Sequence, residues 1–232
     1  MTSKAEINRL GDALREGNLT SKNLIALDEY RRSFQPALAI VISIWQQFLG
    51  FPEILVQRPS KATPSIIAKL RRQPTLKLTQ IQDIAGLRVW LSDRYSQNVL
   101  TERVQSVFPN AKVIDRRKAP THSYRAVHLI VNALDRPVEI QLRTEMQHAW
   151  AHLSERLADS LGHDLKYGGG DQQLRNKLKE LSDRIDTLEQ SALDWSVEHD
   201  MFNTFGRATP FDAEMKLVAD TISDIYSKYL PE

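Results

Sequence analysis

The sequence contains no cysteine. That excludes disulfides and thiolate metal sites, and it fits a reducing compartment. It also lacks a long apolar run. The longest, Ala37 to Trp45, is interrupted by Ser43 and is far too short to span a bilayer. The opening residues, MTSKAEINRL, have no apolar core of a signal peptide. A cytoplasmic protein with no membrane partner is expected. Charge of one sign is scarce as well. Lys and Arg number 31 against 29 Asp and Glu, so any basic patch must be local. No Walker-type phosphate loop is present, because Gly168 to Gly170 is not followed by Lys-Ser or Lys-Thr. His148 and His152 are spaced i, i+4, but Ala149 stands where a zinc protease needs Glu. They read as helix-surface or substrate-contact histidines.

What is present centres on Arg136 to Glu155, RPVEIQLRTEMQHAWAHLSE. Its first half alternates. Val138, Ile140 and Leu142 fall on one face of a strand, and Glu139, Gln141 and Arg143 on the other. An acid, an amide and a guanidinium in a row can hold a metal ion and a phosphorylated substrate. They also suit the solvated face of an antiparallel sheet.

At 232 residues the chain can bury a sizeable core. Residues 3–16 read as an amphipathic helix. Ser21 to Phe48 reads as a second helical stretch broken near Pro36, with Leu24, Leu27, Tyr30 and Phe34 on its core face. FPEILVQ (51–57) reads as a first strand. Thr63 is the expected N-cap of a helix with Pro64 at its first position. On that helix Ser65, Lys69 and Arg72 share one face, and Ile66, Ile67 and Leu70 populate the rest. Gln82–Leu91 reads as a turn leading into a strand, further strands are expected at Ala111–Arg117, Arg125–Ala133 and Val138–Thr144, and a helix at Thr101–Phe108. The order βαβαβββ implies an α+β (mixed α/β) domain: a five-stranded mixed sheet flanked by helices. After the breaker KYGGG, near-heptad leucines mark a long helix from Asp171 to Trp195, able to fold back or pair with another chain. Residues 203–211 read as a loop and Met215–Tyr229 as a terminal helix.

Asp83 and Glu139 stand at the edges of expected strands. Mg²⁺ bound to a nucleotide needs only one or two protein carboxylates. Arg58, Lys61, Lys69, Arg71 and Arg72 form a cationic run with no acid among them, placed before and along a helix. That is either a polyphosphate cradle or a solvated basic helix. Tyr124, in THSYRAVH, either stacks on a base or packs in the core with its hydroxyl outward.

Five ordered segments carry a more specific pattern. They are K-x(3)-S-I-x(2)-K at Lys61, Ser65, Ile66 and Lys69; DIAGLR at Asp83 to Arg88; YRAVH at Tyr124 to His128; VEIQLRT at Val138 to Thr144; and W-A-x-L at Trp150 to Leu153. Together they resemble the synthetase domain of the RelA/SpoT family, and most of all its small stand-alone alarmone synthetases. The resemblance divides the chain into N-terminal helices (1–50), a synthetase-like domain (51–170) and a C-terminal helical extension (171–232). It implies a GTP pyrophosphokinase that moves pyrophosphate from ATP to the 3′-hydroxyl of GDP or GTP, making the alarmones ppGpp and pppGpp. By resemblance, Asp83 and Glu139 hold Mg²⁺ and are catalytic, with Glu139 helping to deprotonate the hydroxyl. Arg58 and Arg88 sandwich adenine, while Lys61, Ser65, Lys69 and Arg72 contact the ATP phosphates. Tyr124 stacks on the acceptor guanine, with His128 and Gln141 nearby.

Three positions depart from the family pattern. Arg58 and Lys61 are spaced R-x(2)-K rather than R-x-K. Ser123 replaces a common Gly, and Pro120 a common Lys, for which Lys118, Arg116 or Arg117 can substitute. The last two fall on the acceptor side. The alternatives are therefore a toxic homologue that pyrophosphorylates the tRNA 3′ end or adenine nucleotides, with an antitoxin partner, or a non-catalytic nucleotide-binding regulator. The helical extensions suggest a homo-oligomer.

Overall fold

The computed structural model describes residues 3–49, 55–57, 60–198 and 210–230. Arg58, the start of the expected first strand (51–54) and most of the expected loop 203–211 lie outside the described residues. The elements follow the expected order. Helices α1 (Lys4–Arg15), α2 (Ser21–Arg32) and α3 (Gln35–Ile44) lead to β1 (Leu55–Gln57) and α4 (Thr63–Arg72). Then come β2 (Ala85–Leu91), α5 (Arg94–Val107), β3 (Lys112–Asp115), β4 (Val127–Ala133) and β5 (Arg136–Thr144). Helices α6 (Glu145–Leu161), α7 (Gln172–Glu198) and α8 (Asp212–Tyr229) follow. The fold is α+β, with helices and a mixed sheet ordered β1-β2-β5-β4-β3. Its body is the four strands β2 to β5, with β1 a three-residue strand at one edge. Among the described residues no helix is long and apolar enough to cross a membrane.

Cα packing separates two compact units, the first spanning Met1–Arg88, Val104–Lys112 and Leu129–Gln141. In it the break near Pro36 falls where expected, because proline cannot donate to the preceding turn. Leu27, Tyr30 and Phe34 are buried, whereas Leu24, expected beside them, is exposed. The Arg136 guanidinium covers the rings of Tyr30 and Phe34 at 5.2 and 5.1 Å. Helix α4 starts one residue earlier than expected. Ala62, extended at φ −63° and ψ 145°, is the cap residue, and its carbonyl accepts the Ile66 N–H at 3.0 Å. Thr63 and Pro64 therefore occupy the first two helical positions. That costs nothing, since the Thr63 N–H would have no helical partner and Pro64 has no N–H to leave unpaired. Arg15 ties α1 to α4 by donating its Nε to the Leu70 carbonyl at 3.1 Å. The hairpin β4–β5 turns in two residues, Leu134 and Asp135, both at positive φ (46° and 56°). That conformation matches the right-handed strand twist.

The second unit spans Val89–Arg103, Val113–His128 and Leu142–Glu232. Its core joins Trp150, Leu153 and Leu157 of α6, Leu174, Leu178, Leu181, Ile185 and Leu188 of α7, and Val218, Ile222 and Ile225 of α8. The near-heptad leucines of α7 thus meet partners in their own chain. Helix α5 begins seven residues before its expected start at Thr101. Asp93 caps it, accepting the Ser96 N–H on its side chain at 2.7 Å and the Gln97 N–H on its carbonyl. Strands β3 and β4 are shorter than expected, because Arg116 to Arg125 belongs to a turn-rich connection.

In α1 an added Cβ on Gly11 would lie 2.7 Å from the Leu78 Cβ and 3.3 Å from the Leu78 backbone nitrogen. Helix propensity favours Ala by about 1 kcal/mol, but overpacking costs about 1–3 kcal/mol. Gly11→Ala is therefore expected to destabilise by about 1 kcal/mol in denaturant unfolding. A gain in stability would show that α1 and the Leu78 turn separate easily.

Candidate active site

The first unit gathers most of the cationic and acidic residues singled out in the sequence. The Lys61 backbone N–H donates to the Ile84 carbonyl at 2.9 Å, which brings the segment before α4 to the entrance of β2. There the Lys61 Nζ lies 2.9 Å from Asp83 Oδ2, and the Lys69 Nζ lies 2.9 Å from Asp83 Oδ1. Each carboxylate oxygen thus has its own ammonium. Burial pushes the Asp83 carboxyl up. Lys61 and Lys69 pull it down further, and it ends below the ordinary 3.8 despite the opposing charge of Glu139. Helix α4 places Lys69 as expected. Ile66, Ile67 and Leu70 are buried, while Ser65 and Arg72 lie exposed on the flank that carries Lys69. Among the described residues no side chain caps its N-terminus, and an uncapped helix start is a place where backbone N–H groups can donate to an anion.

Strand β5 is not half-solvated. Glu139, Gln141 and Arg143 are only 6, 7 and 3% exposed. Burying such groups is costly unless they are paired. Gln141 Nε2 donates to Glu139 Oε2 at 2.8 Å, so Gln141, expected at the acceptor, holds the carboxylate of β5 in this structure. On β2, Leu87 and Val89 are fully buried while Arg88 and Trp90 are half-buried, the expected division of faces. The two carboxylates, close enough for Glu139 to raise the pKa of Asp83, are hard oxygen donors of the kind and number that suit nucleotide-bound Mg²⁺.

The second unit assembles Tyr124 with His128, as expected, and with Arg143. The Tyr124 hydroxyl lies 2.9 Å from His128 Nε2 and accepts from Arg143 Nε at 3.1 Å, while the Arg143 guanidinium covers the Tyr124 ring at 5.0 Å. Arg143 was placed on the polar face of β5 by alternation, but nothing in the sequence linked it to Tyr124. The turn before Tyr124 has His122 and Ser123 at φ 51° and 66°, closed by the Tyr124 N–H on the Thr121 carbonyl at 3.0 Å. Such φ values are ones that glycine adopts without steric cost and other residues rarely do. Lys118 joins neither cluster. It is exposed and lines a cavity of about 800 Å³ with Pro120, Arg94, Arg117, Arg125 and Asp186. His148 stacks on Trp90 at 4.2 Å, and His152 Nδ1 lies 2.6 Å from the Tyr226 hydroxyl.

Residues 58–167 match the region found in RelA/SpoT proteins. An uncharacterized protein of Mycobacterium tuberculosis is 37% identical over 125 residues, which are 53% of this chain and 46% of its own. This chain therefore spans about half the length of its mycobacterial relatives. GTP pyrophosphokinase YwaC of Bacillus subtilis is 31% identical over 150 residues, 57% of this chain and 69% of its own. Among solved structures, small alarmone synthetase 2 from Bacillus subtilis superposes with a TM-score of 0.56 at 25% identity, covering 74% of this chain and 98% of its own. Small alarmone synthetase 1 from the same organism, bound to its product pppGpp, shares the fold with a TM-score of 0.55 at 22% identity, covering 78% and 100%.

The Asp83 cluster has a pH signature. The folded carboxyl titrates below its unfolded value, so its contribution to stability is complete above that value and is lost as pH falls through the folded pKa. Asp83→Asn is expected to flatten the stability profile below about pH 4 relative to the parent. Identical acid limbs in thermal melts would contradict the ion pairing.

Proposed function

This chain belongs to the RelA/SpoT family, and on that premise we propose that it is a pyrophosphotransferase moving the β,γ-pyrophosphate of ATP to the 3′-hydroxyl of GDP or GTP. The observation that carries the reading is Asp83 held between Lys61 and Lys69 with the Glu139 carboxylate acting on it. In the reaction a bond forms between the 3′-oxygen and the β-phosphorus. The bond from the β-phosphorus to the α,β-bridging oxygen breaks, and AMP leaves. The hydroxyl proton passes to a base, a role that suits Glu139.

Phosphoryl-type transfer asks a protein chiefly to position groups and neutralise charge. Lys61 and Lys69 neutralise phosphate oxygens, and the uncapped start of α4 with Ser65 and Arg72 extends the anion-binding edge. Arg58 and Arg88 serve the adenine. Mg²⁺, held by Asp83 and Glu139 when nucleotide binds, supplies further charge neutralisation on the phosphates. Gln141 orients the Glu139 carboxylate through its hydrogen bond. Tyr124 is the residue proposed to stack on the acceptor base, with Arg143 and His128 both engaging its hydroxyl. Support for a guanosine acceptor comes from the relative named GTP pyrophosphokinase. Pro120 and Ser123 favour a second reading, in which the same donor chemistry serves an adenine nucleotide or a tRNA 3′ end.

The test is label transfer from ATP in Mg²⁺, with GDP, GTP, ATP and deacylated tRNA offered separately. AMP release with a new guanosine polyphosphate is expected. Label on tRNA or on an adenosine nucleotide would move the acceptor to the second reading, and no transfer would leave a nucleotide-binding regulator. Glu139→Gln keeps the amide–carboxamide contact to Gln141 and should cut turnover by about 10²–10⁴-fold with the melting temperature unchanged. Wild-type turnover in that variant would remove Glu139 from the mechanism.

A further inference from the structure

The connection that presents Tyr124 is gripped by α7 and by the glycine turn before it, all beyond the segment matched to RelA/SpoT proteins. The Ser182 hydroxyl of α7 donates to the Ser123 carbonyl at 2.6 Å and accepts from Arg125 Nε at 3.2 Å. One helical turn carries the rest of the grip. Arg125 Nη2 lies 2.8 Å from Asp183 Oδ1, and Arg125 Nη1 lies 3.1 Å from Asp186 Oδ2. Arg125 also closes the connection on itself, donating Nη1 to the Arg117 carbonyl at 2.6 Å. The residues on either side of Tyr124 are thus both bonded to Ser182. On its other flank, the His122 ring sits against Gly168, where an added Cβ would lie 2.9 Å from Nδ1. Arg175 of α7 donates to the Gly168 carbonyl.

We infer that α7 is the positioning element for acceptor recognition, with Arg125, Ser182 and Asp183 as positioning residues that fix the Tyr124 turn. The inference rests on the proposed reading of Tyr124 as the residue that stacks on the acceptor base. Two features make a tether necessary. His122 and Ser123 both hold the left-handed conformation without being glycine, which costs about 1–2 kcal/mol per residue, so the turn does not persist on local preference alone. Arg125, 11% exposed, is satisfied by a planar fork of carboxylates and a hydroxyl, and its guanidinium holds both ends of the connection at once. A lysine at this position would keep the charge and lose the fork.

The test uses the full chain with Ser182→Ala combined with Asp183→Asn, and separately Arg125→Lys. Asp183 is 43% exposed, so its neutralisation spares the core. In the transfer assay the acceptor KM should rise about tenfold, with the KM for ATP unchanged. An unchanged acceptor KM would overturn the inference, and so would a parallel rise of both KM values with a lower melting temperature. Hydrogen exchange without substrate is read on the same proteins. Faster exchange confined to the amides of residues 121–126 supports the tether, and exchange identical to the parent overturns it. If the parent transfers to no acceptor, the proposed function fails, and exchange alone then decides the tether.

Discussion

The site depends on one carboxylate shared by two ammonium groups. Asp83 is mostly buried, and Lys61 and Lys69 each bond one of its oxygens, which offsets the cost of a charge there. Glu139 adds a second negative charge that acts on Asp83. A Mg²⁺–nucleotide brings charges of both signs, so the lysines can turn to phosphate while the carboxylates turn to the ion, and no charge is left bare. On the proposed function, such a cluster is preorganised for a polyphosphate.

The scaffold explains why these four groups meet. The Lys61 amide docks on the Ile84 carbonyl, the apolar face of α4 buries Ile66 and Leu70, and Arg15 of α1 satisfies a carbonyl at the end of α4. The two-residue hairpin fixes the register of β5 against β4, and with it the face that Glu139 occupies, since a slip of one residue would turn that face over. In the second unit the same economy of contacts appears at Tyr124, whose hydroxyl and ring are both engaged by Arg143.

Much of this was legible from local sequence. The alternation of β5, the shared flank of Lys69 and Arg72, the break near Pro36 and the βαβαβββ order all follow from periodicity and proline. The start of α5 was missed although its signal was present, Asp93 three residues before Ser96, because the polar run Tyr95 to Asn98 obscured the helical period. Periodicity also could not tell that the polar face of β5 is covered. Alternation reports which residues share a face, and only tertiary packing reports what lies over it. The bonds from α7 to Ser123 and Arg125 span 57 to 61 residues of sequence, a separation at which a serine and two aspartates on a helix look like any solvated stripe. Leu24 shows the reverse error, an apolar residue in phase with the core face that remains outside it.

On the proposed function, the Asp83 cluster receives a Mg²⁺-bound nucleotide. Calorimetric titration with a non-hydrolysable ATP analogue, in Mg²⁺ and in chelator, tests it most directly on the parent and on Asp83→Asn. The account predicts one site per chain, at least about tenfold tighter with Mg²⁺ in the parent, and loss of that difference in Asp83→Asn. Binding that is indifferent to Mg²⁺, or a Mg²⁺ effect that survives the substitution, would contradict it.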